Sequence, residues 1–275
     1  MSPALLGIFA HPDDEGAASG SLARYAAQGL RAYVACATRG DGVDAKISDP
    51  ALATRETLAQ VRSRELACTC ERLGIEPPLF LGFQDGDVDT VPVEQAARDV
   101  ARLIRALQAQ VVITHGPEGG YGHPDHIAVS NFVTLGFVLA GDPSVDVGVP
   151  VFTPAKLYYT AMPRSFLEQV PGFRDRRADI RGQQLGFVGV PDELITTAVD
   201  VAAWLDLKLQ ALSCHRTQFE FDPETKLPKM FLSSVPEAQR RVMFGHERFV
   251  RAVSNLPGAA LNGIEVDLLA GLAVS

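Results

Sequence analysis

The amino-acid sequence predicts an α/β protein with a Rossmann-like, three-layer α/β/α architecture and a mainly parallel sheet. Short apolar runs, typical of strands, alternate with stretches that carry apolar residues at helical spacing. The first run is continuously apolar, as expected for a strand buried on both faces of a parallel sheet. Strands that alternate with helices favour right-handed β-α-β units. The five predicted strands cover residues 5–10, 32–37, 79–83, 111–114 and 156–160.

The stretches between these runs predict helices. Apolar residues recur at helical spacing between residues 66 and 73 and between residues 97 and 107. The pattern is weaker in the second half of the chain. Residues 163–187 mix proline, glycine and five arginines without a clear period, and we interpret them as a lid or a subunit contact. A last helix with an apolar stripe is predicted after Asp200, ending near His215.

Length and composition predict one globular unit. Of the 275 residues, 47% are hydrophobic and 21% are charged, so the chain can bury one sizeable core. We predict a single domain over residues 1–275, in which residues 1–140 form the β-α-β core with the functional site and residues 141–275 add strands, loops and C-terminal helices. The net charge of -8 and the pI near 5.3 argue against the basic surface of nucleic-acid-binding proteins. No nucleic-acid partner is therefore expected.

No segment of the sequence predicts export or membrane insertion. The first apolar run has no basic residue before it and ends at Ala10, where a cluster of histidine and aspartate begins, so it is not typical of a signal peptide. The longest later apolar stretch, residues 127–140, is interrupted by polar residues and is too short to span a bilayer. We therefore predict a cytoplasmic protein without a membrane partner.

The cysteines show no spacing that indicates a disulfide framework or a zinc knuckle, and we predict that all of them are reduced. They are Cys36, Cys68, Cys70 and Cys214. A homo-oligomer stays open as an alternative to a monomer. Its candidate contact residues are Phe132, Phe137 and the apolar tail of residues 256–274.

Two clusters of histidine and acidic residues dominate the sequence. Residues 10–15 read Ala-His-Pro-Asp-Asp-Glu and follow the first predicted strand, and residues 123–126 read His-Pro-Asp-His and follow the strand predicted at 111–114 after a glycine-rich loop. Open α/β sheets bind ligands outside the carboxyl ends of their parallel strands. We therefore expect the clusters to form two halves of one site. Three of the six histidines lie in them, which favours a metal site over two unrelated turns.

The side chains of the two clusters suit a hydrolytic metal centre. Two imidazoles and a carboxylate, with an open fourth position, are ligands with which catalytic zinc lowers the pKa of a bound water to about 7. His11 and Asp14 are three residues apart and can converge on one ion, and either His123 or His126 can supply the third ligand. Asp13 then addresses the water. The remaining histidine can polarise a substrate oxygen or protonate a leaving group.

Together the clusters resemble those of the PIG-L, or LmbE-like, family of N-acetylglucosaminyl deacetylases. Segments along most of the chain are similar to that family, among them residues 38–42, 62–66 and 81–86. Residues 119–126 look closest to the deacetylases of the mycothiol and bacillithiol pathways and to related thiol-conjugate amidases. The resemblance implies a metal-dependent hydrolase that removes the acetyl group from a small N-acetylated amino sugar of the GlcNAc-malate or GlcNAc-inositol type.

The resemblance also implies roles for the residues of the two clusters. His11, Asp14 and His126 would hold the metal, which is Zn²⁺ or alternatively Fe²⁺. Asp13 would be the general base. His123 would stabilise the oxyanion or act as the general acid.

Other residues complete the implied site. Tyr121 matches a tyrosine that assists at the acyl carbonyl, and Arg62 and Asp85 match positions that hold the sugar. His215 belongs to a closing pattern that the family places near the mouth of the site, so it is a third candidate substrate-binding residue. Asp125 stands beside His123 and is a candidate to orient that imidazole through a hydrogen bond.

Three alternative functions stay open. The same site would suit an amidase that cleaves a thiol conjugate. Two histidines and one carboxylate also form the facial triad of non-haem Fe(II) oxygenases, although the alternation of strands and helices agrees less with that class. The third alternative is a sugar-binding protein that has kept the fold and lost catalysis.

Overall fold

The computed structural model describes residues 3–170, 174–229, 235–257 and 263–272, which are organised around a seven-stranded sheet. The strands are β1 Ala4–Phe9, β2 Arg31–Cys36, β3 Leu79–Phe80, β4 Ala109–Thr114, β5 Lys156–Thr160, β6 Ala178–Ile180, β7 Gln183–Leu185, β8 Thr197–Asp200 and β9 His246–Ser254. The order in the large sheet is β3-β2-β1-β4-β5-β9-β8, and β6 and β7 form a separate hairpin.

The first five strands of the large sheet run parallel, as predicted. Pairing is parallel from β3 through β2, β1 and β4 to β5. The order reverses between β1 and β4, and a crevice opens at such a switch point outside the carboxyl ends of the strands. Strand β9 pairs antiparallel with β5, and β8 pairs antiparallel with β9, so β9 runs against the direction that β8 shares with the first five strands. The sequence predicted additional strands after residue 141 but not their direction.

Helices cover both faces of the sheet and confirm the three-layer prediction. The helices are α1 Ser19–Ala27, α2 Leu58–Leu73, α3 Val93–Leu107, α4 Gly119–Gly122, α5 Pro124–Gly141, α6 Arg164–Gln169, α7 Leu205–Leu212 and α8 Glu237–Phe244. Successive side chains of a strand point to opposite faces. Leu6 and Ile8 of β1 therefore pack in a core with α3 and α5, whereas Leu5 and Phe9 pack in a second core with α1 and α2.

The longest helix is α5, and it carries the second histidine cluster. Pro124 occupies its first turn, where a missing N–H group is tolerated, and the side chain of His123 caps its N-terminus. Phe132 and Phe137 are buried against the sheet and α3, so neither is available for the predicted subunit contact. Part of the apolar tail, residues 258–262 and 273–274, lies outside the described residues. In the described part of the chain, every helix is too short or too polar to cross a bilayer.

Two of the cysteines form a disulfide, so the prediction that all four are reduced is wrong. Cys68 in α2 is bonded to Cys214, which follows α7, across a sequence separation of 146 residues. Cys36 and Cys70 are free and buried. A pairing at such a separation leaves no trace in local spacing, because it depends on the packing of α7 against α2.

The disulfide is expected to contribute substantially to stability. A covalent link over so long a loop restricts the unfolded chain, and loss of such a bond typically costs about 2–5 kcal/mol. The Cys68→Ser variant should therefore have a free energy of unfolding lower by that amount, measured by equilibrium denaturation in urea. Reductant should destabilise the wild type to a similar extent and leave the variant unchanged. Equal stability of the oxidised wild type and the variant would contradict this prediction.

Candidate metal centre and active site

The two histidine clusters meet at the carboxyl ends of β1 and β4. These strands are paired up to Ile8 and Thr114, so the residues that follow them emerge side by side. His115 ties the two ends together, since its Nε2 accepts the backbone N–H of Ala10 at 3.0 Å. The ring of His115 also stacks on His126 with 4.0 Å between the ring centroids, which fixes the orientation of that imidazole. The sheet topology therefore brings the two clusters together, as predicted.

The first cluster folds into a tight turn that aims its two aspartates in different directions. The Asp14 carboxylate turns back and accepts the backbone N–H of His11 at 2.8 Å. The backbone of Asp13 has a φ of 108°, in the left-handed region that a residue with a side chain rarely adopts. Such a conformation costs on the order of 1–3 kcal/mol and persists only where the surroundings enforce it.

Two buried histidines and the half-buried Asp14 form a donor set that fits a tetrahedral ion. Metal–ligand bonds of about 2.0–2.1 Å place neighbouring tetrahedral ligands about 3.3 Å apart. His126 Nε2 lies 3.2 Å from His11 Nδ1 and 3.4 Å from Asp14 Oδ1, and His11 Nδ1 lies 3.3 Å from Asp14 Oδ2. Burial would raise the pKa of Asp14, but the imidazoles of His126 and His115 hold it well below its usual range. The set therefore combines two nitrogens and an ionised carboxylate.

Two further carboxylates hold the outer nitrogen of His11. Its Nε2 lies 2.9 Å from Asp85 Oδ1 and 3.3 Å from Asp125 Oδ2, and because a carboxylate only accepts, Nε2 carries the hydrogen. Asp85 also accepts the N–H of Gly42, and Asp125 that of Gly86. Carboxylates in this position orient a metal-binding imidazole and increase its basicity. Burial alone would lower the pKa of His11, but its bonds to the carboxylates raise it well above its usual value.

Asp13 lies outside the donor set and has the properties of a base. Its Oδ1 is 3.2 Å from Nη2 of Arg62, which also donates to the carbonyl oxygens of Pro12 and Gly40. Burial raises the pKa of Asp13 to about 6, against the lowering effect of Arg62. A carboxylate whose pKa lies near the operating pH is suited to take and return a proton.

This pKa predicts an acid limb in the pH profile. Asp13 works as a base only when ionised, so kcat/KM should rise with pH through an apparent pKa at or below about 6, since a bound cation would lower the value further. The measurement is kcat/KM from about pH 4.5 to about pH 8 at saturating metal, with the metal content checked at each pH because His11 must lose a proton to bind. An acid limb with an apparent pKa well above about 6, or a kcat/KM that falls as the pH rises from about 4.5 to about 6, would contradict the assignment.

His123 and Tyr121 form the opposite side of the site. His123 Nδ1 accepts the backbone N–H of Asp125 at 3.1 Å, so the proton of the neutral ring is on Nε2. Burial and the nearby His11 lower the pKa of His123 to about 4, which leaves the ring neutral at pH 7. Burial also raises the pKa of Tyr121, whose ring lies 5.7 Å from that of His123 between centroids. Both side chains are therefore hydrogen-bond donors.

Four predicted residues are placed differently from what the sequence suggested. The carboxylate of Asp125 holds His11, and only its backbone N–H orients His123, because the carboxylate turns away from the cap of α5. Arg62 lines the cavity but is only 4% exposed. Its guanidinium donates to Asp13 and to backbone carbonyl oxygens, whereas the predicted partner was the sugar. Asp85 also borders the cavity while holding His11. His215 is 0% exposed, so its burial does not support a substrate contact.

Two residues of the site were not predicted from the sequence. His115 gave a usable signal, since it directly follows a predicted strand at the edge where the ligands lie. Glu15 ends the first cluster and is 1% exposed. Its partner His215 lies 200 residues away in the sequence, so no local pattern identified this contact.

The site lies at the bottom of a cavity of about 1010 Å³. The hairpin of β6 and β7 crosses its mouth, where the Arg181 guanidinium pairs with the carboxylate of Asp89 at 2.7 Å and its backbone N–H donates to Asp44 at 3.2 Å. This arrangement agrees with the lid interpretation of residues 163–187. One wall of the cavity is apolar and is formed by Met162, Phe166, Phe187, Met243 and Phe244.

Comparison with known proteins agrees with this geometry. Residues 6–135 match the family described as PIG-L, GlcNAc-PI de-N-acetylase. The 1D-myo-inositol 2-acetamido-2-deoxy-alpha-D-glucopyranoside deacetylase of Thermomonospora curvata is 34% identical, over 98% of this chain and 96% of that protein. The protein of the same name from Kineococcus radiotolerans is 35% identical, over 98% of this chain and 83% of that protein. The chain belongs to the PIG-L family.

This PIG-L family chain is therefore a hydrolase of the N-deacetylase type, as predicted. The N,N'-diacetylchitobiose deacetylase of Pyrococcus horikoshii shares the fold, with a TM-score of 0.65 and 19% identity over 91% of this chain and 84% of that one. Membership of a deacetylase family does not agree with the oxygenase alternative or with a non-catalytic sugar-binding protein. The buried His/Asp set fits the metal dependence of such enzymes.

Proposed function

We propose that the protein hydrolyses the acetamide of an N-acetylglucosaminyl inositol, releasing acetate and the free amino sugar. The observation that carries this proposal is the juxtaposition of a tetrahedral donor set with Asp13, a carboxylate outside that set whose pKa is about 6. The curated relatives named above act on a glycoside of this type, and they support the choice of substrate. The cavity of about 1010 Å³ is large enough for a disaccharide-sized ligand.

The metal would be held by His11, Asp14 and His126, whose donor atoms all lie within 4.8 Å of one another. We assign zinc to the site, with ferrous iron as the alternative that the same ligands accept. When bound, a divalent ion supplies Lewis-acid polarisation of the amide and lowers the pKa of a bound water. Asp85 and Asp125 would keep the His11 ring in the orientation that this requires.

The chain's own residues would move the protons. Asp13 takes the proton of the attacking water, while Arg62 holds the carboxylate in place. The Nε2–H group of His123 and the hydroxyl of Tyr121 donate hydrogen bonds to the oxygen of the tetrahedral intermediate. Collapse needs a proton on the departing nitrogen. Asp13 is its source, because the pKa of His123 is about 4 and its ring carries no extra proton at neutral pH.

A second candidate function is cleavage of the amide in a thiol conjugate of the same amino sugar. The apolar wall favours it, since Phe166 and Phe244 pack edge to face at 5.6 Å and Phe187 contacts Tyr121 at 5.5 Å between ring centroids. An apolar substituent on the acyl side would find a binding surface there. An N-acetyl group alone would leave this wall unused.

The proposed function is tested with metal-stripped protein that is reloaded with zinc or ferrous iron. Acetate release is measured from inositol-linked, malate-linked and simple alkyl glycosides of N-acetylglucosamine, and amine release from an S-substituted thiol conjugate. Metal-dependent acetate release that is fastest with the inositol glycoside supports the proposal. Preference for the thiol conjugate would replace it with the second candidate. No release from any substrate, with metal bound stoichiometrically, would overturn both.

A further inference from the structure

A buried line of polar groups runs from the C-terminal half of the chain to the back of the proposed base. His215 Nε2 lies 2.6 Å from Glu15 Oε1, and Glu15 Oε2 accepts the backbone N–H of Asp13 at 2.8 Å. His215 is 0% exposed, and Glu15 borders the cavity but is only 1% exposed, so neither offers a surface that a substrate could bind. The line therefore acts on the site through Asp13.

The hydrogen-bond directions along this line are fixed by the partners. The hydroxyl of Thr69 gives its proton to the carbonyl oxygen of Ala211 at 3.1 Å. Its oxygen therefore faces His215 Nε2, at 3.0 Å, as an acceptor. Nε2 must then carry a hydrogen, which also points at the carboxylate of Glu15. Glu15 thus accepts from His215 with one oxygen and from Asp13 with the other.

Burying this arrangement costs free energy, and packing does not explain why the cost is accepted. His215 Nδ1 is buried and has no hydrogen-bond partner among the described residues. Leaving such a group unsatisfied destabilises the fold, and an apolar side chain of similar shape would avoid that cost. Packing alone therefore gives no reason for a histidine at this position.

The other end of the line explains what the arrangement holds. Asp13 has its backbone at a φ of 108°, a conformation that its surroundings must enforce. Arg62 fixes the Asp13 carboxylate, at 3.2 Å, but not its peptide N–H group. The bond to Glu15 supplies that second anchor. Together, the contact with Arg62 and the bond to Glu15 define the position of the Asp13 carboxylate in the cavity.

We infer that Glu15 and His215 are positioning residues that set the place of Asp13 for proton transfer. The inference rests on the proposed function, since it takes Asp13 as the base. The donor set has its own supports in Asp85, Asp125 and His115, and His215 touches none of its members. Loss of the line should therefore change kcat and leave metal affinity unchanged.

The test compares His215→Leu with the conservative His215→Gln, which keeps an N–H donor at the ε position. A misplacement of about 1 Å in a catalytic group costs on the order of 100-fold in rate, so we expect His215→Leu to lower kcat by about 10- to 100-fold with an unchanged KM. His215→Gln should recover most of that loss. Metal stoichiometry and metal affinity, titrated on the stripped proteins, should equal those of the wild type.

Two comparisons separate positioning from a general loss of stability. Tyr25→Phe removes a hydrogen bond of 2.7 Å to Asp267 on the far side of α1, so it should lower the melting temperature without lowering kcat. Adding His215→Leu to the Asp13→Ala variant should not lower the residual kcat any further, because His215 acts on catalysis through Asp13. If His215→Leu does not fold, Glu15→Gln replaces it. Its amide keeps the volume but offers a single acceptor oxygen to two donors.

The outcomes are distinct. An unchanged kcat in His215→Leu, or a loss of metal that matches the loss of activity, would overturn the inference. Failure of His215→Gln to recover activity would also overturn it. If Glu15→Gln is used instead, a wild-type kcat in that variant would do the same. An inactive wild type is a failure of the proposed function instead, and the substrate panel detects it before any variant is made.

Discussion

Replacing Asp13 by Asn is expected to lower kcat by about 100- to 10,000-fold while the protein keeps its full complement of metal. The amide preserves the volume and the hydrogen bond to Arg62 through its oxygen, but it cannot take a proton from water. Because Asp13 lies outside the donor set of His11, Asp14 and His126, the ion should remain bound. The measurement is kcat with the preferred glycoside, together with metal analysis of the same samples.

A matched control for this variant is Asp89→Asn. Asp89 is an exposed carboxylate that pairs with Arg181 at the mouth of the cavity, and it lies outside the proton-transfer chain. Its replacement should leave kcat within about two-fold of the wild type, since exposed ion pairs contribute little. Wild-type turnover in Asp13→Asn would show that another group is the base. Loss of metal in that variant would show that Asp13 is a ligand.

The His126→Ala variant is expected to lose bound metal and activity together. His126 Nε2 is within 3.4 Å of both other donors, and α5 holds it rigidly at the crevice. With two ligands left, the site cannot close around an ion, so added metal should not restore turnover. The measurement is metal affinity of the stripped protein by titration, with activity followed across the same range of metal concentrations.

Asp125→Asn provides a graded comparison. Removing a carboxylate that orients a ligand typically weakens metal binding about 10- to 100-fold, so this variant should regain activity in excess metal whereas His126→Ala should not. The exposed His246→Ala should keep the wild-type affinity. If the His126→Ala variant still binds metal tightly and stoichiometrically, His126 is not a ligand. His123 would then be the candidate for the third ligand.

The sequence predicted the fold and the location of the site because both follow from short-range patterns. Apolar runs identified β1 and β4, and the polar residues directly after them identified the edge of the sheet at which the ligands meet. The resemblance of the clusters to the PIG-L family then supplied roles for His11, Asp13 and His126. Position in a motif was sufficient to locate these residues, because each lies just after a strand or at the start of a helix, and their roles stay predictions.

Interactions between distant segments were beyond the sequence patterns. The Cys68–Cys214 disulfide depends on how α7 packs against α2, and the burial of His215 depends on the same contact. The roles of Asp85 and Asp125 depend on how the loop after β3 and the N-terminus of α5 come together beside His11. The antiparallel direction of β9 is set by pairing with β5, and periodicity along one strand does not encode direction.

The carboxylates around the site have a consequence for the order in which products leave. Asp13, Asp14, Glu15, Asp85 and Asp125 stand close together, with Arg62 beside them. Like charges at short range repel strongly in a partly buried site, whereas an ammonium group is attracted to it. When ionised, the five carboxylates outnumber the positive charges even after Arg62 and a bound divalent ion are counted, so the freed amine is retained once it is protonated. We expect acetate to leave first and the amino sugar to act as the stronger product inhibitor.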